Sequence, residues 1–326
     1  MFNILVTGVG SIIGYGIIES LKQSAIHTCI TGTDIYKDAY GRVLSDHFVT
    51  GVKAESNDFI PFINKVVEEY KIDLIIPGIE QDLYKLWEFR DKVTSRIVLN
   101  SDLCTRLSKD KYETFLYLSQ FDIRLIPTLR NSSFHHCAQL LGLPFLLKPS
   151  SSYASKGIET ISTEKEFEFY TTRNEGKCIY QKITGTSESE FTVAVFGDGN
   201  GSYFDHIILK RTLSGEGATQ KAILVHDEDI SEYVDQLCQI IKPAGPTNIQ
   251  VRKEGKDVYL LEVNPRISSA CSIRTLMGYN EPEMCLKYFL LQEDIKPAEK
   301  VRGSVVRYIS DNFIPYENSS DFGHTR

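Results

Sequence analysis

The chain has 326 residues, of which 42% are hydrophobic and 24% charged, a composition typical of a globular protein with two or three domains. Its 36 basic and 43 acidic side chains give a formal charge of −7, which argues against a nucleic acid bound through phosphate neutralisation. No apolar run approaches the ~20 residues of a membrane helix, and the first residues lack the basic segment of a signal peptide. The seven cysteines are scattered, without the spacing of a disulfide framework or a zinc site. We therefore expect a cytoplasmic protein with no membrane partner.

The first part of the chain, to about residue 100, alternates short apolar strands with helices. Strands are predicted at 4–6, 29–31 and 73–77. Between them, residues 59–70 carry apolar side chains along one face, which is the spacing of an α-helix. Strands separated by helices predict a parallel sheet with helices on both faces, an α/β fold.

Strands predominate in the rest of the chain. Ser108 is predicted to cap a helix that continues through Leu118. A helix at 231–241 precedes two strands, 247–252 and 258–264, which form a hairpin. Earlier strands are predicted at 145–148, 178–181, 191–196 and 203–209. This pattern favours an α+β part after the α/β part.

A glycine-rich loop follows the first predicted strand and opens a helix. It contains Gly8, Gly10 and Gly14, and Asp34 ends the next strand. In such a context a dinucleotide binds with its pyrophosphate at the helix N-terminus and its ribose on the acid. The Gly-x-Gly-x-x-x-Gly spacing departs from that motif, however, and any tight turn from strand to helix favours glycine. Both interpretations, a dinucleotide site and a structural or substrate-facing turn, remain open from the sequence.

The hairpin near residue 255 carries polar side chains in a regular pattern. Glu262 and Asn264 are two apart on a strand and therefore share a face, and Gln250 is expected opposite Glu262 within about one residue. Carboxylate and amide oxygens suit Mg²⁺, which shares phosphate oxygens with a nucleotide. Arg266 would bring a planar cation to the same phosphates. The alternative is a solvated polar face on an edge strand.

These residues also carry a resemblance to a known family. Leu-Leu-Glu-Val-Asn-Pro-Arg at residues 260–266, preceded by Asn-Ile-Gln at 248–250, resembles the metal-binding signature of the ATP-grasp superfamily. The nearest branch is similar to the large subunit of carbamoyl-phosphate synthase and related carboxylate–amine ligases. The resemblance covers nearly the whole chain, with weaker matches in the expected order at 109–111, 146–149, 180–185 and 190–193.

The resemblance implies both an architecture and a cofactor. An α/β, Rossmann-like (pre-ATP-grasp) domain would occupy residues 1–100, a small α+β ATP-grasp lobe 101–177, and a large lobe 178–326, with the metal hairpin and the C-terminal tail. ATP would bind between the two lobes. Gln250, Glu262 and Asn264 would hold Mg²⁺, for which Mn²⁺ can substitute.

The resemblance also assigns residues to the phosphates of ATP. Lys111 and Lys148 would contact them, although a solvent-exposed Lys111 is the alternative. A buried cation at Lys148 is expected to have an anionic partner. Ser155 and Lys156 lie in a serine-rich loop, where relatives usually have a glycine-rich one.

Further residues match the positions that bind adenine and ribose in relatives. The backbone of Gln181, Lys182 and Ile183 would bind the adenine edge, although many relatives have an acidic residue where this chain has Lys182. Glu190 would bind the ribose hydroxyls, with Glu188 as the competing choice.

The implied reaction has two steps: ATP phosphorylates a carboxylate to give an acyl phosphate and ADP, and an amine then displaces phosphate to form an amide. Arg211, preferred over its neighbour Lys210, and Arg266 would neutralise charge on the transferred group. No nucleophilic side chain is required.

The substrates are predicted to be a small carboxylate and a small amine. Arg274 offers a fork for a carboxylate, and Glu80 and Asp82 could hold an ammonium, so a zwitterionic amino acid or an amino-sugar acid would fit. Exposed surface charges are the alternative for all three. A homodimer is compatible with the resemblance, and His135, His136 and Cys137 are interpreted as surface residues.

Two other classes of function compete with the ligase. An NAD(P)-linked oxidoreductase would use the glycine loop but would leave the hairpin unexplained. A nucleotide-binding regulator would bind ATP without turnover.

Overall fold

The computed structural model describes residues 1–151, 157–213 and 219–308, which form three sheets. Among these residues no helix has both the length and the apolar character needed to cross a membrane. Ser155 and Lys156, assigned above to the phosphate loop, lie outside the described residues.

The first sheet is entirely parallel and has the strand order β3-β2-β1-β4-β5. Its central strand β1 and its neighbour β4 are buried because helices cover both faces, as the alternating pattern predicts. The strands are β1 Phe2–Thr7, β2 Thr28–Asp34, β3 His47–Thr50, β4 Leu74–Pro77 and β5 Arg96–Ile97, and the helices are α1 Ile12–Lys22, α2 Phe59–Tyr70 and α3 Glu80–Glu88. Short 3₁₀ turns lie at Tyr40–Leu44 and Arg90–Lys92.

A smaller antiparallel sheet has the order β6-β9-β7-β8. Two helices precede it, α4 Asp102–Ser108 and α5 Lys111–Leu118. Its other elements are β6 Thr128–Leu129, α6 Phe134–Leu141, β7 Phe145–Pro149, β8 Glu159–Ile161, α7 Glu164–Arg173 and β9 Cys178–Lys182. On α6, the two histidines predicted to be surface residues are exposed, but Cys137 is buried.

Two predictions for this region are wrong. Ser108 does not cap a helix but ends α4, because the carboxylate of Asp110 accepts the amides of Tyr112 and Glu113 and so begins α5. The predicted boundary between 177 and 178 would separate β9 from the sheet to which it belongs, since β9 pairs with β6 and β7. The smaller sheet therefore extends through Lys182.

The third sheet has six antiparallel strands in the order β14-β13-β10-β11-β12-β15. It contains the hairpin, β13 to β14. Its elements are β10 Glu190–Asp198, after a 3₁₀ turn at Ser187–Ser189, β11 Tyr203–Leu213, β12 Thr219–Val225, α8 Glu228–Ile241, β13 Ala244–Glu254, β14 Asp257–Asn264, α9 Cys271–Leu276, α10 Glu281–Cys285, a π-helix at Leu286–Leu291 and β15 Ser304–Val306.

The first and third sheets share one hydrophobic core. Ile17 and Ile18 of α1 belong to the same buried cluster as Cys271 and Ile273 of α9 and Phe196 of β10. This packing brings the ends of β1 and β4 next to the end of β14, where the polar residues singled out by the sequence lie.

Candidate nucleotide and metal site

The hairpin has the register that the sequence predicts. Gln250 pairs directly with Glu262, and Asn248 pairs with Asn264. A register shift follows Gln250, so Leu261 has no partner opposite it and the strand bends beside Glu262. The amide nitrogens of Gln250 and Asn264 lie 3.5 and 3.4 Å from the same oxygen of Glu262. The three predicted metal ligands therefore form one cluster.

The chemistry of this cluster fits Mg²⁺. In the described residues no group of three or more His, Cys, Asp or Glu side chains could hold a metal, so a cation here would rely on one carboxylate, two amide oxygens and the oxygens of a ligand. Mg²⁺ accepts such a mixed shell and keeps water or phosphate in it. Rotating either amide by half a turn brings its oxygen to the place of its nitrogen. A cation already neutralises the carboxylate, since Lys111 Nζ lies 3.0 Å from Glu262 Oε1.

Lys148 approaches the cluster from the smaller sheet. Its ammonium donates to Gln181 Oε1 at 2.6 Å, so its partner is an amide and not the anion that was expected. Burial lowers the pKa of Lys148 to about 8, and the positive charges of Arg252 and Lys111 act in the same direction. Lys148, Lys111 and Gln181 line a small cavity of about 40 Å³ together with Glu262. In the described part of the chain, the ammonium of Lys148 therefore has a hydrogen-bond partner but no ion pair.

Glu190 forms the centre of a second charged group. Its carboxylate accepts from Arg211 Nη2 at 2.9 Å and from Arg252 Nη2 at 3.2 Å. Arg211 Nη2 also lies 2.9 Å from Gln250 Oε1, which links this group to the metal cluster. Lys210 is exposed, and Arg211 lines the main cavity, as preferred from the sequence. A ribose role for Glu190 remains a prediction; the competing Glu188 is exposed.

The residues predicted to bind adenine lie at the end of β9. The amide of Lys182 donates to the carbonyl of Pro127 at 3.0 Å, and its side chain is exposed. Gln181 is buried, and its amide donates to Thr128 Oγ1 at 3.0 Å. Ile183 is partly exposed just beyond the strand. Because the Lys182 amide is already occupied, adenine would have to use other backbone groups of this segment.

The main cavity lies between the first sheet and the hairpin and has a volume of about 720 Å³. Glu80 and Asp82 of α3 border it from one side. The guanidinium of Arg266 borders it from the other and lies 2.5 Å from Glu80. Burial raises the pKa of Asp82 to about 7; the Thr7 hydroxyl opposes this shift. Of the two acids predicted to hold an ammonium, Glu80 is therefore already paired, whereas Asp82 shares the cavity wall without an ion pair among the described residues.

The predicted role of Arg274 is wrong. This side chain is 0% exposed, and its Nε and Nη2 atoms lie 2.8 and 2.6 Å from the carboxylate of Glu281. Its remaining donors reach Ser268 Oγ at 3.0 Å and Asn248 Oδ1 at 3.4 Å. A guanidinium used in this way from inside the core cannot receive a substrate carboxylate. Instead, it holds the segment that follows the hairpin.

The glycine loop uses its polar groups internally. The amide of Gly10 donates to Asp34 Oδ2 at 2.8 Å, and Ser11 Oγ accepts from the amide of Gly14 at 3.0 Å. A Cβ atom on Gly14 would lie 2.3 Å from the carbonyl oxygen of Gly8, so this glycine permits close packing of the turn. These contacts favour the structural interpretation over a dinucleotide site, because the acid and the amides that would bind the dinucleotide are engaged.

Sequence reasoning missed two residues of the site. Arg252 contacts Glu190, and Asn248 accepts from the hydroxyl of Thr192 at 2.6 Å. Both lie two residues from Gln250 on β13 and hence on the same face. The period-two rule already applied to Glu262 and Asn264 would have found them.

Parts of this chain are similar to known proteins. Residues 186–312 match a family model described as "ATP-grasp in the biosynthetic pathway with Ter operon". The carbamoyl phosphate synthase large chain of Thermotoga maritima is 23% identical over 212 residues, which are 56% of this chain and 19% of that protein. The chain thus spans about a fifth of the length of this relative.

Solved structures share the fold at low identity. N5-carboxyaminoimidazole synthetase from Staphylococcus aureus complexed with ADP has a TM-score of 0.71 at 18% identity, over 92% of this chain and 80% of that one. The biotin carboxylase domain dimer of Hydrogenobacter thermophilus 2-oxoglutarate carboxylase, in complex with MgADP, ADP and bicarbonate, has a TM-score of 0.70 at 16% identity, over 93% and 73%. The predicted resemblance to the ATP-grasp family is confirmed, as is an α/β fold with parallel and antiparallel sheets.

Proposed function

We propose that this chain is an ATP- and Mg²⁺-dependent carboxylate–amine ligase that forms ADP and an amide. The observation that carries the proposal is the direct pairing of Gln250 with Glu262, with Asn264 on the same face, in a cavity that Arg211 and Arg266 also line. An oxygen cluster beside two guanidinium groups suits a metal-bound polyphosphate. The matches to ATP-grasp proteins support the same conclusion.

In the first step, a carboxylate oxygen of the substrate attacks the γ-phosphorus of ATP, and the bond from that phosphorus to ADP breaks. Mg²⁺, held by Glu262, Gln250 and Asn264, would supply charge neutralisation at the phosphates. The protein positions the phosphoryl group with Arg266 and Arg211, which needs no covalent help from a side chain. Lys148 approaches from β7 of the smaller sheet and Lys111 from the start of α5, and both would contact the same phosphates.

In the second step, the nitrogen of a neutral amine attacks the acyl carbon and phosphate leaves with the bonding electron pair. The amine must lose a proton for this step. Asp82 borders the cavity with a pKa raised to about 7, so it can hold an ammonium and accept its proton near neutral pH. The proposed acceptor is therefore still an amine. Because Arg274 is buried, no residue of this chain is assigned to bind a carboxylate group of that acceptor.

The proposal also includes the finer architecture. Residues 1–100 form its Rossmann-like, pre-ATP-grasp domain; the small lobe extends from 101 through the end of β9, and the large lobe follows. The separate sheets of these three segments support this division. We also propose that the nucleotide is ATP and that Mn²⁺ can replace Mg²⁺. The same proposal includes a cytoplasmic location and a homodimer.

The test is ADP release, measured by chromatography, from ATP with a panel of carboxylates and amines. A ligase requires Mg²⁺ and both partners, and mass spectrometry of the product detects the new amide. Chelation by EDTA and omission of each partner are the controls. Tight ATP binding without ADP release from any pair would instead identify the nucleotide-binding regulator. A change in NADH absorbance would identify the oxidoreductase.

A further inference from the structure

One ion pair connects the first sheet to the metal hairpin across the main cavity. Arg266 follows the end of β14 by two residues, and its Nη2 atom lies 2.5 Å from Glu80 Oε1. The side chain of Glu80 is 20% exposed and that of Arg266 is 12% exposed. Partly buried and charge-assisted, this contact is stronger than an ordinary surface pair.

The backbone holds Glu80 in a fixed place. It is the first residue of α3, directly after the turn that leaves β4. In that turn, the amide of Gly78 donates to the carbonyl of Thr7 at 3.1 Å, and its own carbonyl accepts from Ser11 Oγ at 3.2 Å. A Cβ on Gly78 would lie 2.3 Å from the Thr7 oxygen, so the turn packs directly against β1. The backbone that leads into Glu80 is therefore held rigidly against β1.

Arg266 is held less completely than Glu80. Its Nη1 atom donates to the carbonyl of Ile267 at 3.0 Å, and Nη2 reaches Glu80. Its Nε atom is buried and has no hydrogen-bond partner among the described residues. Glu80 is thus the single anionic group that orients this guanidinium in the described part of the chain.

The same neighbourhood includes the metal cluster. Burial raises the pKa of the Tyr84 phenol, with further contributions from the negative charges of Glu80 and Glu262 and an opposing one from Arg266. Glu80, Arg266 and Glu262 therefore act on one side chain. All three also line the main cavity.

We infer that Glu80 is a positioning residue for Arg266, and that it competes with phosphate oxygens for the guanidinium. This inference rests on the proposed function, in which Arg266 contacts the phosphates of the metal-bound nucleotide as well as the transferred phosphoryl group. A carboxylate on Arg266 reduces the affinity for a bound phosphate because part of the positive charge is already neutralised. It also keeps the fork in one orientation, which aids the transition state more than the ground state.

The inference predicts opposite effects on binding and turnover. Glu80→Gln keeps the shape of the side chain and removes its charge. We expect MgADP to bind three- to tenfold more tightly, by calorimetry, and kcat for ADP release to fall ten- to a hundredfold. Glu88→Gln, an exposed acid at the far end of the same helix, is the matched control and should change neither quantity.

Two further variants separate positioning from a general loss of structure. Glu80→Asp retains the charge on a shorter side chain and should bind MgADP as the wild type does, with an intermediate kcat. In an Arg266→Ala background, Glu80→Gln should leave MgADP affinity unchanged, since its effect passes through that guanidinium. Unchanged or weaker MgADP binding by Glu80→Gln in the wild-type background, with a normal urea midpoint, would overturn the inference. If the wild type releases no ADP from any substrate pair, the ligase proposal fails, while the calorimetric comparison still decides the role of Glu80.

Discussion

The glycine loop and the metal hairpin are both polar turns at the edge of the main cavity, yet they use their polar groups in opposite ways. In the loop, the carboxylate of Asp34 accepts a hydrogen bond from the amide of Gly10, and the hydroxyl of Ser11 accepts one from the amide of Gly14. These polar groups therefore satisfy one another. In the hairpin, Gln250 and Glu262 face each other across two strands and both line the cavity. Glycine spacing alone therefore describes a backbone shape, whereas strand register determines which side chains meet.

The largest expected effect is on the hairpin. Glu262→Ala removes the single carboxylate of the metal cluster, and we expect MgATP-dependent ADP release to fall about ten-thousand-fold, or ~5.5 kcal/mol of transition-state stabilisation. The far-UV circular dichroism spectrum should stay unchanged, since the side chain is not part of the core. Glu228→Ala, an exposed acid on α8, is the control. ADP release close to the wild-type rate would contradict the metal assignment and remove the contrast with the loop.

The second largest effect is expected for the segment that follows the hairpin, which Arg274 holds in place. Arg274→Ala leaves the carboxylate of Glu281 buried without its partner, and we expect the free energy of unfolding to fall by about 3–5 kcal/mol. Urea denaturation measures this difference, with the exposed Arg302→Ala as control. Replacing both partners, as Arg274→Met with Glu281→Leu, should recover much of the loss. A small effect of Arg274→Ala would mean that this arginine is not structural.

A smaller effect should depend on pH. The pKa of Lys148 is lowered to about 8, so its ammonium is charged below that pH and neutral above it. Phosphate contacts with a charged lysine are lost as the pH rises, and we expect the Kd for ATP to increase about tenfold between pH 7 and 9.5, ~1.4 kcal/mol. Lys148→Arg should flatten this profile because arginine stays charged. The exposed Lys165→Arg should retain it; a flat profile in the wild type would argue against Lys148 as a phosphate ligand.

The smallest effect concerns the glycine loop. Asp34→Ala removes the carboxylate that accepts the hydrogen bond of the Gly10 amide. We therefore expect the free energy of unfolding to fall by about 1–2 kcal/mol. Calorimetry with NAD⁺ and NADPH should show no saturable binding below ~1 mM, or about −4 kcal/mol, in the wild type. Micromolar binding that Asp34→Ala abolishes would give the loop a ligand and make it functionally similar to the hairpin.

Local patterns predicted the elements well. Helix α2 was expected at 59–70 and spans those residues, because its apolar face repeats with the helical period. The pairing of Gln250 with Glu262 was expected within one residue, since a short turn fixes the register of a hairpin.

Contacts between distant segments were not predictable in the same way. Arg274 has the residue type of a carboxylate ligand, and only its burial against Glu281 shows its structural role. The predicted boundary after residue 177 left β9 out of the smaller sheet, because its pairing with β6 and β7 depends on the tertiary fold. The ion pair of Glu80 with Arg266 likewise has no local pattern that reveals it.

The separation of these partners along the chain also has a consequence for folding. Gln250 and Glu262 are 12 residues apart, whereas Glu80 and Arg266 are 186 apart. Closing the longer loop costs about 2.4 kcal/mol more in chain entropy, by the logarithmic dependence on loop length. The hairpin can therefore form early from local contacts. The contact of Glu80 with Arg266, which joins the hairpin to the first sheet, forms late. In native-state hydrogen exchange, the contact between Glu80 and Arg266 should open before the strands of the hairpin separate.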